Sequence, residues 1–149
     1  MLHTHSCVWI HLIWATKNRE RVMGKEQSRH LFDYFIRKGK ETGVLFEKLT
    51  IQPEHVHALI NLPTNQTIAE FMNLIKGGSS YWLNRNVFQS RFSWQRVYGA
   101  YSVSASLLKN GKMNMEFSMI DEGRVKKSPL KRAEGGCGVC PEHPAEAGC

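Results

Sequence analysis

No stretch of this chain approaches the ~18 uninterrupted apolar residues of a membrane-spanning helix. Its first residues, Met1-Leu2-His3-Thr4-His5-Ser6-Cys7, lack the basic region and long apolar run of a signal peptide. That argues against a membrane protein and against secretion, and sets a cytoplasmic location as the expectation. Cysteine is scarce: only Cys7, Cys137, Cys140 and Cys149 occur in 149 residues. Cys7 lies in an apolar stretch that suits a small buried thiol. Without a secretory signal the four are expected to be reduced thiols, not a disulfide framework.

Acidic residues are also in deficit, with thirteen Asp and Glu against twenty Lys and Arg, a formal charge of +7. Thirteen of the twenty cations but only seven of the thirteen acids precede Ala105, so the excess belongs to the part that looks foldable. A basic surface suits a polyanion, because bound Lys and Arg release condensed counterions. It also occurs in proteins that bind no nucleic acid. The composition, 42% hydrophobic and 22% charged, is that of a folded single domain.

The stretch from Cys7 to Thr16 is nearly all apolar and rich in β-branched and aromatic residues, so it predicts a central strand buried on both faces. Leu31, Phe32, Phe35 and Ile36 recur at helical spacing, which predicts an amphipathic helix over about 25–42 ended by Gly43. Residues 44–51 and 55–62 read as strands joined by Gln52-Pro53-Glu54, too short a link for anything but a hairpin. Thr67-Ile68-Ala69-Glu70 matches a capping box and opens a second helix, in which Gly77-Gly78 marks a kink or a close approach. Phe92 to Gln95 and Val97 to Ser104 read as a last strand. This β-α-β-β-α-β order predicts an α+β, ferredoxin-like fold, an antiparallel sheet with its helices on one face. Leu107-Leu108 could start a further helix, and from Lys126 the composition reads as a disordered tail.

The residues with most chemistry are Pro53-Glu54-His55-Val56-His57. On a strand, residues two apart share a face, so His55 and His57 can offer two imidazoles to one metal ion while Val56 packs behind them. The spacing alone equally fits a pair lining a polar face. For nucleic acid, the second helix and its exit supply Lys76, Ser79, Ser80, Asn84, Arg85 and Arg91 as phosphate partners, with Tyr81 and Trp82 able to stack on bases. A solvated face over buried aromatics is the rival reading, preferred for Trp82. Lys17, Arg19 and Arg21 form a second basic cluster that an exposed loop explains equally well.

His55-Val56-His57, the entering Pro53-Glu54, the strand from His11 through Thr16-Lys17-Asn18-Arg19, and Trp94-Gln95 with Tyr98 to Ser104 occur in the same order in one family. Over about residues 8–106 the chain resembles the HUH-type single-tyrosine transposases of bacterial insertion sequences and their REP-associated relatives. That resemblance implies a ferredoxin-like fold, a homodimer, and action on single-stranded or hairpin DNA. It implies that His55 and His57 hold a divalent cation, Mg or Mn, which polarises the scissile phosphate. A tyrosine hydroxyl then attacks phosphorus to give a phosphotyrosine link and a free 3′-OH. The family's tyrosine slot falls at about Asn114, within Lys112-Met113-Asn114-Met115-Glu116. The resemblance also implies a third metal ligand, commonly a glutamine four residues after the tyrosine, yet no tyrosine follows Tyr101 and no glutamine follows Gln95 in this sequence.

Residues 1–106 are therefore expected to form one transposase-like domain. Residues 107–125 stand where the tyrosine helix belongs, and 126–149 form a Cys-containing tail. The expected function is metal-assisted single-stranded DNA cleavage and strand transfer, with this copy inactive for want of its nucleophile, as a frameshifted 3′ end would produce. The alternative is a non-catalytic nucleic-acid-binding module derived from a transposase. Cys137, Cys140 and His143, with Cys149 beyond, present zinc-type ligands at a cramped spacing, and chance clustering is the other reading.

Overall fold

The hydrophobic alternation of the third strand organises the sheet. In a computed structural model that describes residues 6–89 and 91–109, strand β3 (His55–Leu62) buries Val56, Ala58, Ile60 and Leu62 in a single core cluster. Strand β1 (Val8–Ala15) contributes Ile10, Leu12 and Trp14 to the same cluster. The two run antiparallel, with Ile13 opposite His57 and Ala15 opposite His55. β1 is buried along both faces as its apolar run predicts, except at Val8, which is exposed, and at His11 and Ile13, which are half-buried.

Strand β2 (Leu45–Ile51) pairs with the outer side of β3. Its core residues Phe46, Leu49 and Ile51 do not keep one parity, and a bulge between Phe46 and Lys48 absorbs the extra residue. Without that insertion either Phe46 or the Leu49/Ile51 pair would face away from the core. Strand β4 (Gly99–Val103) pairs antiparallel with β1, which gives the sheet order β2-β3-β1-β4. Helix α1 (Lys25–Thr42) links β1 to β2, and helix α2 (Ile68–Leu83) links β3 to β4. Leu31, Phe35, Phe71, Met72 and Ile75 from these helices join one cluster with the strand residues above, so both helices cover one face. The topology is ferredoxin-like, as the element order predicts.

Helix boundaries follow local chemistry. α1 ends at Gly43, whose φ of 76° is the left-handed cap conformation that glycine adopts without steric cost. α2 opens on a complete capping box: Glu70 N–H donates to Thr67 Oγ1, and Thr67 N–H donates to the Glu70 carboxylate at 2.9 Å. The Gly77-Gly78 pair resolves into a close approach. A Cβ at Gly78 would fall against the Tyr34 hydroxyl of α1, whereas one at Gly77 would meet nothing.

The start of the last strand needs correction. The last strand begins only at Gly99, because Trp94 makes an isolated bridge to Thr16 while Gln95 N–H donates to Ala15 O and Lys17 N–H to Ser93 O. The segment thus closes off the end of β1 and leaves the sheet before β4 begins. A short helix, α3 (Ala105–Lys109), starts where Leu107-Leu108 suggested one. The Asn114 slot, the tail and its Cys137/Cys140/His143 cluster lie outside the described residues.

The glycine pair gives a direct test of this packing. Gly77→Ala should stabilise the fold by about 0.5–1 kcal/mol through helix propensity and reduced chain entropy. Gly78→Ala should lower the melting temperature, because α1 and α2 must separate to admit the methyl group. Thermal denaturation of the two variants checks both signs.

Candidate metal and nucleic-acid site

Because β3 must turn Val56 and Ala58 into the core, His55 and His57 emerge together on the face opposite the helices. Their ring centroids lie 4.8 Å apart in an edge-to-face arrangement. A third imidazole joins them. His11 on β1 sits opposite Leu59 and reaches diagonally to His57, placing its Nε2 3.1 Å from His57 Nδ1 with the two ring planes inclined by only 24°. His55 is held differently: its Nδ1 lies 3.0 Å from Glu54 Oε1. Glu54 Oε2 is buried without a hydrogen bond, and the Arg21 guanidinium stands 3.7 Å from it.

The electrostatics favour neutral rings at His11 and His57. Burial pushes His11 below the ordinary histidine value of 6.5. Burial also lowers His57, and the neighbouring His55 and His11 add to that effect because each would place like charge beside it. A neutral imidazole carries one N–H and one bare nitrogen. Both β3 histidines use Nδ1 toward a protein partner, so Nε2 is the nitrogen each has left for a ligand. Among the described residues no group of three or more His, Cys, Asp or Glu converges as a complete metal cage. Two imidazoles on one face could supply two ligands to a cation, fewer than the four of a closed structural site.

The residues expected at a nucleic-acid surface divide into two groups. Arg85 and Arg91 are exposed beyond the end of α2, and the Arg85 guanidinium lies over the Tyr81 ring while donating to its hydroxyl at 2.6 Å. Tyr81 itself is 63% exposed. Ser80 is half-buried and bonds the Gly77 carbonyl. The others hold the fold. Ser79 is fully buried, its Oγ accepting the Trp94 indole N–H at 2.8 Å, so it does not reach the surface. Lys76 donates to Arg96 O at 2.9 Å and lies over the Tyr98 ring, and burial lowers its pKa. Asn84 donates to Phe92 O and accepts from Phe92 N–H, fastening the loop that carries Arg91. Trp82 is half-buried against the core and the His30 ring.

A family model described as "Transposase IS200 like" matches residues 4–112. The chain belongs to the IS200-like transposase family. It is 31% identical over 70 residues to the ISDra2 transposase TnpA of Deinococcus radiodurans, and that match covers 47% of this chain and 50% of the relative. The chain thus spans about half the length of the curated relative it matches. Its fold is similar to a crystal structure described as a transposase from Deinococcus radiodurans R1, with a TM-score of 0.65 and 23% identity over 75% of this chain and 91% of the other. It is also similar to a REP-associated tyrosine transposase bound to a REP hairpin, at a TM-score of 0.55 and 14% identity over 75% and 68% of the two chains.

Within this IS200-like domain, His11 and Glu54 were visible in the sequence as motif neighbours but carried no assigned role. His11 is one polar residue in an apolar strand, and only the β1–β3 register brings it to His57. Glu54 sits beside His55 in the chain, so its contact was open to local reasoning.

The lowered histidines set a sign for pH dependence. The unfolded chain takes up protons at the ordinary value of 6.5, which the native rings resist. The stability this contributes is complete above that value and is lost as pH falls through it toward the lower native pKa. The melting temperature should therefore drop between about pH 7.5 and about pH 5.5. A His11→Gln/His57→Gln variant should show a shallower drop by calorimetry over the same range.

Proposed function

We propose that the chain is a DNA-transposition protein whose His55 and His57 hold a divalent cation against a phosphodiester of single-stranded or hairpin DNA. The observation that carries this reading is the pair of same-face imidazoles, each engaged at Nδ1 and each with Nε2 left over. Magnesium and manganese both favour oxygen ligands, so either ion held by these two imidazoles would fill its other positions with water and phosphate oxygens. When bound, such a cation polarises the phosphodiester and stabilises charge that develops in the transition state. The chain's own part is to orient: Glu54 fixes His55, and Arg85, Arg91 and Ser80 meet phosphate oxygens while Tyr81 offers a face for an unpaired base. The relative solved on a REP hairpin supports hairpin DNA as the partner. Among the described residues no strand pairs with the outer edge of β4, which leaves room for the second copy of a homodimer.

The covalent half of the reaction is the part we propose this chain has lost. The family's tyrosine slot falls at about Asn114, within Lys112-Met113-Asn114-Met115-Glu116, where no side chain is a nucleophile toward phosphorus of the tyrosine kind, and no tyrosine follows Tyr101 in the sequence. Tyr34 is buried and Tyr81 is tied to Arg85. Tyr101 is 60% exposed on the histidine face, with its ring 6.4 Å from His11. It has no base within hydrogen-bond reach among the contacts of the described residues. The activity proposed is therefore binding and presentation of DNA without a phosphotyrosine link.

Three measurements test the reading. Calorimetric titration with Mn²⁺ should show binding that a His55→Ala/His57→Ala variant weakens by more than about 100-fold, beyond the loss from disturbing a ligand's supporting hydrogen bond. Unchanged affinity would return the histidines to a packing role. Arg85→Ala/Arg91→Ala should weaken hairpin binding and reduce its salt dependence by about one counterion per lost contact. A suicide hairpin substrate should leave no covalent adduct on denaturing gels. An adduct would contradict the inactivity, and its loss in Tyr101→Phe would then identify the nucleophile.

A further inference from the structure

We propose that His11 is a positioning residue: its Nε2 accepts the Nδ1–H of His57 and so presents the bare Nε2 of His57 to the cation site shared with His55. The inference rests on the metal reading above and assigns a role to a strand that reading leaves idle.

The geometry at His57 has only two protonation solutions. The 3.1 Å contact between His11 Nε2 and His57 Nδ1 needs one proton between two nitrogens. If His11 gave that proton, a neutral His57 would carry its own on Nε2 and could not ligate there. If His57 gives it, Nε2 keeps its lone pair for a cation, and His11 carries its proton on Nδ1. Only the second solution is compatible with His57 as an Nε2 ligand. The same solution already operates at His55, where a carboxylate takes the place of the imidazole: Glu54 Oε1 stands 3.0 Å from Nδ1 and accepts its proton. The two candidate ligands are thus oriented by the same device from two different elements, the turn before β3 and the neighbouring strand β1.

His11 is also confined as a positioning group should be. Its backbone is fixed by Ile10 and Leu12, both buried in the core on the opposite side of β1. The His57 ring meets it edge to edge with the centroids 5.4 Å apart, and the Tyr101 ring stands 6.4 Å away, from the residue directly across on β4. A ring wedged between two strands has few orientations open to it, so the hydrogen bond costs little entropy to maintain.

Two readouts test the assignment. Ring ¹⁵N shifts of the metal-free wild-type chain at alkaline pH report the tautomers without any variant. His57 should be protonated on Nδ1 and bare on Nε2, with His11 protonated on Nδ1. For Mn²⁺ affinity, His11→Phe keeps a ring but removes the acceptor and should weaken binding by about 10–100-fold. His11→Gln, whose amide oxygen can accept the same proton, should recover most of that loss. A His11→Phe variant that binds Mn²⁺ like the wild type overturns the proposal while leaving the metal reading intact, and a His57 proton on Nε2 overturns the proposal together with His57 as an Nε2 ligand. A wild-type chain that binds no Mn²⁺ despite the expected tautomers overturns the metal reading, and the positioning role falls with it.

Discussion

The burial of alternate residues along β3 governs the rest of the structure. Val56, Ala58, Ile60 and Leu62 must meet α1 and α2 in the core, and a two-residue period then leaves His55 and His57 no choice of face. Slipping the register by one would bury two imidazoles and expose four apolar side chains. Val56, Ile60 and Leu62 each contribute about 1.5–3 kcal/mol through burial, and Ala58 less. The site's geometry is therefore a by-product of core packing, and it is as secure as the core itself. The bulge in β2 belongs to the same logic: it lets Phe46, Leu49 and Ile51 reach the core despite their uneven spacing.

Much of this was legible in the sequence because the relevant signals are local. The unbroken apolar run of β1, the His-x-His alternation, the capping box at Thr67 and the terminal Gly43 each depend on residues within one turn or one strand. The hairpin from β2 to β3 follows from a connection too short for a helix. What escaped was non-local. Trp94 and Gln95 look like strand residues but are held by the backbone of Ala15 and Lys17, far away in the chain. Ser79 and Lys76 look like surface groups on a helix, yet the indole of Trp94 and the carbonyls of Arg96 and Val97 claim them. His11 shows the same limit, since its partner is set by a strand register that no linear pattern reveals.

The division of labour among polar residues bears on what this IS200-like domain can do. Glu54 before β3 and His11 in the middle of β1 contact the β3 histidines, whereas the groups beyond α2 are split between fastening a loop and meeting solvent. Asn84, Lys76 and Ser79 hold the segment that leads into β4, while Arg85, Arg91 and Tyr81 remain outward. A nucleic-acid strand meeting the arginines would thus rest on a loop whose backbone is fastened, which favours pre-organised over adaptive recognition.

The central claim is that two Nε2 atoms share one cation. Anomalous diffraction from a crystal soaked in manganese chloride addresses it without reference to activity. The account requires a single peak within about 2.4 Å of Nε2 of both His55 and His57, a separation typical of hard cations with their ligands. A peak lying instead between His11 and His57 at Nδ1, or no peak near β3 at saturating manganese, would contradict it.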